Sequence, residues 1–139
     1  MTTHEIRDIT IIGGGPTGLF ALFYAGMRGA SAQIVDALPE LGGQLTALYP
    51  EKYIFDVAGF PRVLAKDLVR QLAEQTAQFN YPSFLNRRVT GLEEVDGEGG
   101  KHFVLETTDG RFPTRSIIIA AGIGAFSPRR LPQPCAEGW

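Results

Sequence analysis

The feature that most constrains the fold is a glycine-rich segment, GGGPTG at positions 13–18, which directly follows the apolar run DITII. β-Branched residues dominate positions 8–12, and this predicts a short buried strand that the glycines end. Pro16 suits a first helical turn, and apolar side chains recur at helical spacing as far as Arg28. Ala32–Val35 predicts a second strand. The chain therefore opens with a βαβ unit, in which the two strands are parallel.

The rest of the chain predicts one further helix and an antiparallel meander. Proline and glycine interrupt residues 37–62, which are expected to be mostly loop, and an amphipathic helix is expected at 64–79. Three extended segments separated by DGEGG and DG predict the meander, at 88–94, 102–107 and 111–116. The apolar run at 117–121 predicts another buried strand. The fold class is α/β: a Rossmann-like domain with a parallel sheet, helices and a small antiparallel β-meander.

Composition excludes several classes of function. The formal net charge is −2 with no long run of either sign, which argues against nucleic acid as a partner. No apolar run approaches the roughly 20 residues that cross a bilayer, and the N-terminus has no leader pattern, so we expect a soluble cytoplasmic protein. His4 and His102 are isolated, and Cys135 is the single cysteine. We therefore expect no metal site, no internal disulfide and no catalytic acid, base or nucleophile.

Gly13, Gly15 and Gly18 satisfy the Gly-x-Gly-x-x-Gly pattern of a dinucleotide-binding turn between a strand and a helix. The first glycine permits the tight turn, the second lets the backbone approach a pyrophosphate, and the third allows close packing of helix on strand. Asp36 ends the second strand 18 positions after Gly18, where a carboxylate can accept hydrogen bonds from the ribose hydroxyls and repels a 2′-phosphate. The pattern predicts FAD or NAD rather than NADP, and does not choose between the first two.

A resemblance separates these two cofactors. The segment GGQLTALYPEKYIFDVAGFP, positions 42–61, resembles the ferredoxin–NADP reductases of the thioredoxin-reductase-like type. GGQL is shared with thioredoxin reductases, whereas YPEKYIFDVAGFP is closer to the ferredoxin-linked group. The resemblance extends from IIGGGPTGLFALFYAGMRG to IIIAAGIGAFSPRRL. It implies FAD as cofactor, NADPH as substrate, ferredoxin or flavodoxin as partner, and a homodimer.

The resemblance also implies which residues bind the cofactor. Gly13, Gly15 and Thr17 would hold the FAD pyrophosphate and Asp36 the adenosine ribose. Toward the flavin would lie Gln44 and Tyr49, the tyrosine packing on the isoalloxazine. Val89 would face the adenine through its backbone and Phe126 would sit against the cofactor. The predicted set is completed by Pro16, Gly18 and Gly43.

The chain also departs from the family. The resemblance implies a two-domain protein, in which an NADPH-binding domain is inserted into the FAD-binding domain just after the strand that ends here at Ala121. We therefore expect residues 1–139 to be the N-terminal part of an FAD-binding domain, inactive without the NADPH-binding domain and the returning FAD segment. Two alternatives stay open: part of a thioredoxin-type disulfide reductase, whose Cys-x-x-Cys would lie in the absent domain, and a non-catalytic dinucleotide-binding module.

Overall fold

The predicted βαβ unit forms the centre of the fold. The computed structural model describes residues 5–97 and 100–124. In it, β1 (Arg7–Ile12) and β2 (Ala32–Val35) are parallel neighbours connected by α1 (Pro16–Met27). These bounds match the sequence prediction to within one residue, because the glycines fix both the end of β1 and the start of α1.

The other elements complete a mixed sheet with helices. They are α2 (Gln44–Ala47), β3 (Tyr53–Ile54), β4 (Val63–Leu64), α3 (Ala65–Ala77), β5 (Ser83–Phe84), β6 (Val89–Gly97), β7 (Gly100–Thr107) and β8 (Gly110–Ile119). The six-stranded sheet has the order β5-β2-β1-β8-β7-β6, and β3 and β4 form a separate antiparallel pair. The α/β fold and the antiparallel meander of β6, β7 and β8 are confirmed. Strand β5 was not predicted, because it is only two residues long.

Strand β8 differs from its prediction as two strands, 111–116 and 117–121. It is one continuous ten-residue strand, in which Thr114 pairs both with Phe103 of antiparallel β7 and with Arg7 of parallel β1. The expectation that its second half is buried is also wrong for Ile119, which is 78% exposed. An isoleucine run indicates a strand, whereas burial depends on what packs over it, and α1 packs mainly over β1 and β2 in the described chain.

Two apolar clusters hold the opposite faces of the sheet. On one face, Leu22 and Ala25 of α1 pack against Ile11 of β1 and Ile34 of β2. On the other face, Val35 packs with residues of the meander, since adjacent side chains of a strand point to opposite faces. Helix α3 lies on α1, where the Thr76 hydroxyl donates a hydrogen bond to the Leu19 carbonyl at 3.1 Å. The sheet is thus fixed from both sides at the carboxyl ends of β1 and β2.

Candidate functional site

A cleft of about 560 Å³ opens at the carboxyl ends of the parallel strands β1, β2 and β8. Five segments line it, drawn from residues 12–17, 35–38, 43–48, 87–89 and 120–124. Open α/β sheets bind ligands in the crevice outside the carboxyl ends of their strands, and this volume is within the range of small-molecule and cofactor pockets. The cleft therefore lies where the glycine pattern predicts a nucleotide-binding site.

Two glycines of the glycine-rich segment lie where no side chain would fit. Gly13 has φ +105°, and a Cβ there would lie 2.8 Å from the carbonyl carbon of Ala120. Its N–H donates to the Val35 carbonyl at 2.9 Å, so the residue lies between the ends of β2 and β8. A Cβ at Gly18 would overlap the carbonyl oxygen of Gly13. These contacts explain the glycines at both positions by backbone geometry.

The N-terminus of α1 faces the cleft without a cap from the protein. Gly15 is the N-cap, no side chain hydrogen-bonds there, and the first turn contains no acidic residue. Pro16 has no N–H, and both Pro16 and Thr17 line the cleft. The first turn of a helix leaves N–H groups unpaired and carries a partial positive charge. This end of α1 is suited to an anionic group such as a diphosphate.

Asp36 lies where β2 meets the cleft, and its side chain is engaged on both oxygens. Oδ2 accepts a hydrogen bond from the Gly14 N–H at 2.5 Å, and Oδ1 accepts one from the Leu38 N–H at 2.8 Å. The residue is only 8% exposed. An ionised carboxylate has about four acceptor positions, so the two bonds leave capacity for ligand hydroxyls. The sequence indicated the ribose role but not the bond to Gly14.

A second pair of glycines docks on the first turn. The Gly42 N–H donates to the Gly14 carbonyl at 2.8 Å. Gly43 has φ +58°, and a Cβ there would lie 3.0 Å from the Cα of Gly15. Helix α2 begins directly afterwards at Gln44, whose Nε2 lies 3.4 Å from the position of a Cβ at Gly122. The amide of Gln44 is therefore next to the segment that follows β8.

The other end of the cleft is bordered by residues 87–89. The Arg87 N–H donates to the Asp36 carbonyl at 2.8 Å, and its guanidinium pairs with Asp109, Nη2 to Oδ2, at 2.7 Å. The Arg88 carbonyl accepts from the Thr108 N–H at 2.9 Å, which joins this segment to the meander. Val89 follows as the first residue of β6. The turn before β6 is thereby held against the end of β2.

Most of the predicted site residues meet in this cleft. The lining includes Gly13, Gly15, Pro16, Thr17, Asp36, Gly43, Gln44 and Val89. Gly18 lies behind it, in the contact between α1 and β1. Tyr49 is not part of the lining: it is 47% exposed, and the Nζ of Lys52 is 5.3 Å from its ring centroid. Phe126 lies outside the described residues.

Among the lining residues that the sequence did not assign to the site, two segments stand at strand ends. They are Ala37 and Leu38, which follow β2, and the segment 120–124, which follows β8. The glycines at 122 and 124 following an apolar strand were a usable signal, because they mark a second turn at the same edge of the sheet.

Within the residues that the structure describes, no three His, Cys, Asp or Glu side chains gather at metal-binding distance, and no helix is long and apolar enough to cross a membrane.

Comparison with solved structures identifies the class of fold. Thioredoxin reductase from Streptococcus pyogenes superimposes with a TM-score of 0.72 at 24% identity, covering 95% of this chain and 39% of that protein. Thioredoxin reductase from Lactococcus lactis gives 0.71 at 26% identity, covering 92% of this chain and 38% of that protein. The chain has the Rossmann-type fold of these thioredoxin reductases.

The amino-acid sequence is similar to a more particular group of proteins. It is 55% identical to a ferredoxin–NADP reductase of Halalkalibacterium halodurans over 92% of this chain, and 56% identical to that of Thermus thermophilus over 91%. A ferredoxin–NADP reductase 2 of Bacillus subtilis is 51% identical over 96% of this chain. The resemblance noted from the sequence is confirmed. No family model matches the chain.

The similarity covers only part of those relatives. The chain spans 38%, 37% and 39% of the lengths of the three reductases, so the relatives are more than twice as long. Their identity to this chain is about twice that of the thioredoxin reductases, 51–56% against 24–26%. The sequence is thus more similar to these ferredoxin–NADP reductases than to the two thioredoxin reductases.

Proposed function

We propose that the chain is the FAD-binding part of a ferredoxin–NADP reductase, an oxidoreductase that passes electrons between NADPH and ferredoxin or flavodoxin. The observation that carries the proposal is the cleft in which the uncapped N-terminus of α1, the carboxylate of Asp36 and the amide of Gln44 meet. The 51–56% identity to proteins of that name supports the activity. FAD supplies the redox chemistry when it is bound, and the residues of this chain would bind and orient it.

The residues present fit FAD at each part of the cleft. The N–H groups at the start of α1 would hold the pyrophosphate, since no side chain caps this end of the helix and its first turn contains no acidic residue. Asp36 would bind the adenosine ribose and Val89 would face the adenine. Gln44 would hydrogen-bond the flavin edge, because a side-chain amide can both donate and accept.

Two aromatic residues remain proposals at the flavin end. We propose that Tyr49 packs on the isoalloxazine, as the resemblance implies, and that Phe126 lies against the cofactor. In the described structure the Tyr49 ring is partly exposed two residues after α2, close to the segment that carries Gln44. An exposed aromatic face suits a flat tricyclic ring. Tyr49→Leu is expected to alter the flavin absorption spectrum and fluorescence, whereas Tyr53→Leu, at a similarly exposed tyrosine of β3, is the matched control.

The experiment that tests the function uses the full-length protein. We expect it to be purified with one FAD per polypeptide and to reduce ferredoxin with NADPH. Released cofactor is identified by its absorption spectrum and chromatographic mobility, and electron transfer is followed through cytochrome c coupled to ferredoxin. A protein that carries no flavin, and takes up none when FAD is added, contradicts the proposal.

The same preparation separates the alternatives. The similarity of the chain to solved thioredoxin reductases favours a thioredoxin-type disulfide reductase as the second candidate. That enzyme would reduce thioredoxin with NADPH and leave ferredoxin oxidised. A non-catalytic module would bind FAD and reduce neither acceptor. Because all three readouts use one protein sample, loss of folding cannot be mistaken for a change of acceptor.

We also propose a cytoplasmic homodimer that is joined along α1. Helix α1 contains no charged residue, yet Phe20, Tyr24 and Met27 are each more than half exposed along its outer face. Two such faces can pack on one another without desolvating a charge. Light scattering of the full-length protein is expected to give twice the polypeptide mass. Phe20→Glu with Tyr24→Glu is expected to give the monomer with FAD retained, and an unchanged mass would exclude this face.

A further inference from the structure

We propose that Asp36 has a second role besides binding ribose: its carboxylate positions the glycine-rich turn that receives the phosphates. The inference rests on the proposed function, since it concerns how the same cleft binds FAD. Asp36 would thereby affect the binding of the pyrophosphate, a part of the ligand that its side chain does not contact. Asp36 would therefore act as a positioning residue for the pyrophosphate.

The contacts of Asp36 carry the first step. One carboxylate oxygen accepts from the N–H of Gly14, the middle residue of the three glycines, and the other accepts from the N–H of Leu38. The carboxylate therefore bridges the turn after β1 and the turn after β2. A hydrogen bond to a charged acceptor is stronger than one between neutral groups, and this one is almost fully buried.

The position of Gly14 carries the second step. Its N–H is directed at Asp36 and its carbonyl accepts from the Gly42 N–H at 2.8 Å, so both polar groups of this residue are bonded within the protein. A Cβ at Gly14 would lie 2.9 Å from Oδ2 of Asp36 and 2.7 Å from Cδ2 of Leu41. Both hydrogen bonds of Gly14 thus hold the turn in place. They fix the direction from which the next residues, Gly15 to Thr17, face the cleft.

The test separates the two roles by changing the ligand as well as the protein. FAD and an FAD analogue whose adenosine ribose lacks both hydroxyls are titrated into deflavinated full-length protein, wild type and Asp36→Asn. Asparagine keeps the size of the side chain but presents an N–H₂ group to one of the two backbone N–H donors. If Asp36 also positions the turn, the substitution weakens both ligands by tenfold or more.

Three outcomes are distinguishable. A loss of affinity for FAD with unchanged affinity for the dideoxy analogue overturns the positioning role and leaves the ribose role alone. Unchanged affinity for both ligands overturns the positioning role as well. A wild-type protein that binds neither ligand refutes the proposed function itself, independently of Asp36.

The control is a carboxylate with similar bonds far from the cleft. Asp8 lies at the opposite end of β1 and accepts hydrogen bonds from the N–H and the hydroxyl of Ser31. Asp8→Asn is expected to leave the affinity for both ligands within twofold of wild type. Circular dichroism and thermal unfolding of each deflavinated variant establish that the tenfold effect is measured on folded protein. An equal loss of affinity in Asp8→Asn would assign the effect to general destabilisation and overturn the inference.

Discussion

Substitution of Gly18 by alanine tests the close contact between α1 and β1. Inside a helix, alanine is favoured over glycine by about 1 kcal/mol, so propensity alone predicts that Gly18→Ala stabilises the protein. The structure predicts the reverse. The new Cβ would overlap the Gly13 carbonyl oxygen and lie 3.0 Å from its carbonyl carbon, and both are backbone atoms that no side-chain rotation can move.

The magnitude follows from the two opposing terms. Forcing a methyl group against a rigid backbone costs about 3 kcal/mol, the upper end of the usual range for overpacking, because α1 must move away from β1. After the gain of about 1 kcal/mol in propensity, the free energy of unfolding is expected to fall by about 2 kcal/mol. The same movement displaces the N-terminus of α1, so FAD should bind at least tenfold more weakly.

Urea unfolding of the deflavinated full-length protein measures the first effect, and FAD titration measures the second. Gly29→Ala is the matched control: Gly29 has φ +71° and no atom within 4 Å of a Cβ, so it suffers backbone strain without a clash. It is expected to cost about 1 kcal/mol and to leave the FAD affinity unchanged. A Gly18→Ala protein as stable as wild type, with wild-type affinity for FAD, would show that α1 does not approach β1 this closely.

Three further predictions concern residues outside the cleft. Thr10→Val removes the hydroxyl that accepts a hydrogen bond at 2.9 Å from the buried side-chain amide of Gln33. Urea unfolding should show a loss of about 2 kcal/mol in the free energy of unfolding, and the double variant with Gln33→Leu should regain most of it. Phe112→Ala should cost about 4 kcal/mol by the same assay, because the ring is 1% exposed and its loss leaves a cavity, and a cost below about 1 kcal/mol would contradict that packing. Hydrogen bonds from the Ser31 hydroxyl and N–H hold the pKa of Asp8 below its ordinary value. These bonds therefore stabilise the fold at pH values above the ordinary pKa, and the stabilisation is lost as the pH falls through the lowered pKa. Ser31→Ala should therefore raise the Asp8 pKa in an NMR titration, and its stability difference from wild type should shrink below about pH 4.

The sequence predicted the elements whose signals are local. The glycines and Pro16 placed the turn and the start of α1, and the bounds of β2 agree with its apolar run. Gly-rich turns likewise separated the strands of the meander. In each case the residue that limits an element acts through its own backbone preference, which does not depend on distant parts of the chain.

The misses are non-local. Whether residues 111–121 form one strand or two depends on β1 and β7, which pair with the same residue, Thr114, from opposite sides. The exposure of Ile119 likewise depends on where α1 lies. The bond between Asp36 and Gly14 joins residues 22 positions apart, and a carboxylate at that position has the same sequence signature whether it contacts a ligand, the backbone or both. Such contacts are decided by tertiary structure, and no periodicity encodes them.

The pairing of β1 with β8 has a consequence for synthesis on the ribosome. The Thr114 hydroxyl donates to the Arg7 carbonyl across 107 positions of the chain, and the cleft is bounded on one side by residues that follow β8. At about 5–20 residues per second, β1 waits roughly 5–20 s for its neighbour to be made, in addition to the time needed to leave the exit tunnel. During that interval one edge of β1 stays open and the cleft lacks a wall. The cleft can therefore form only after β8 and the residues that follow it have been made, and until then the open edge of β1 can pair with a neighbouring chain.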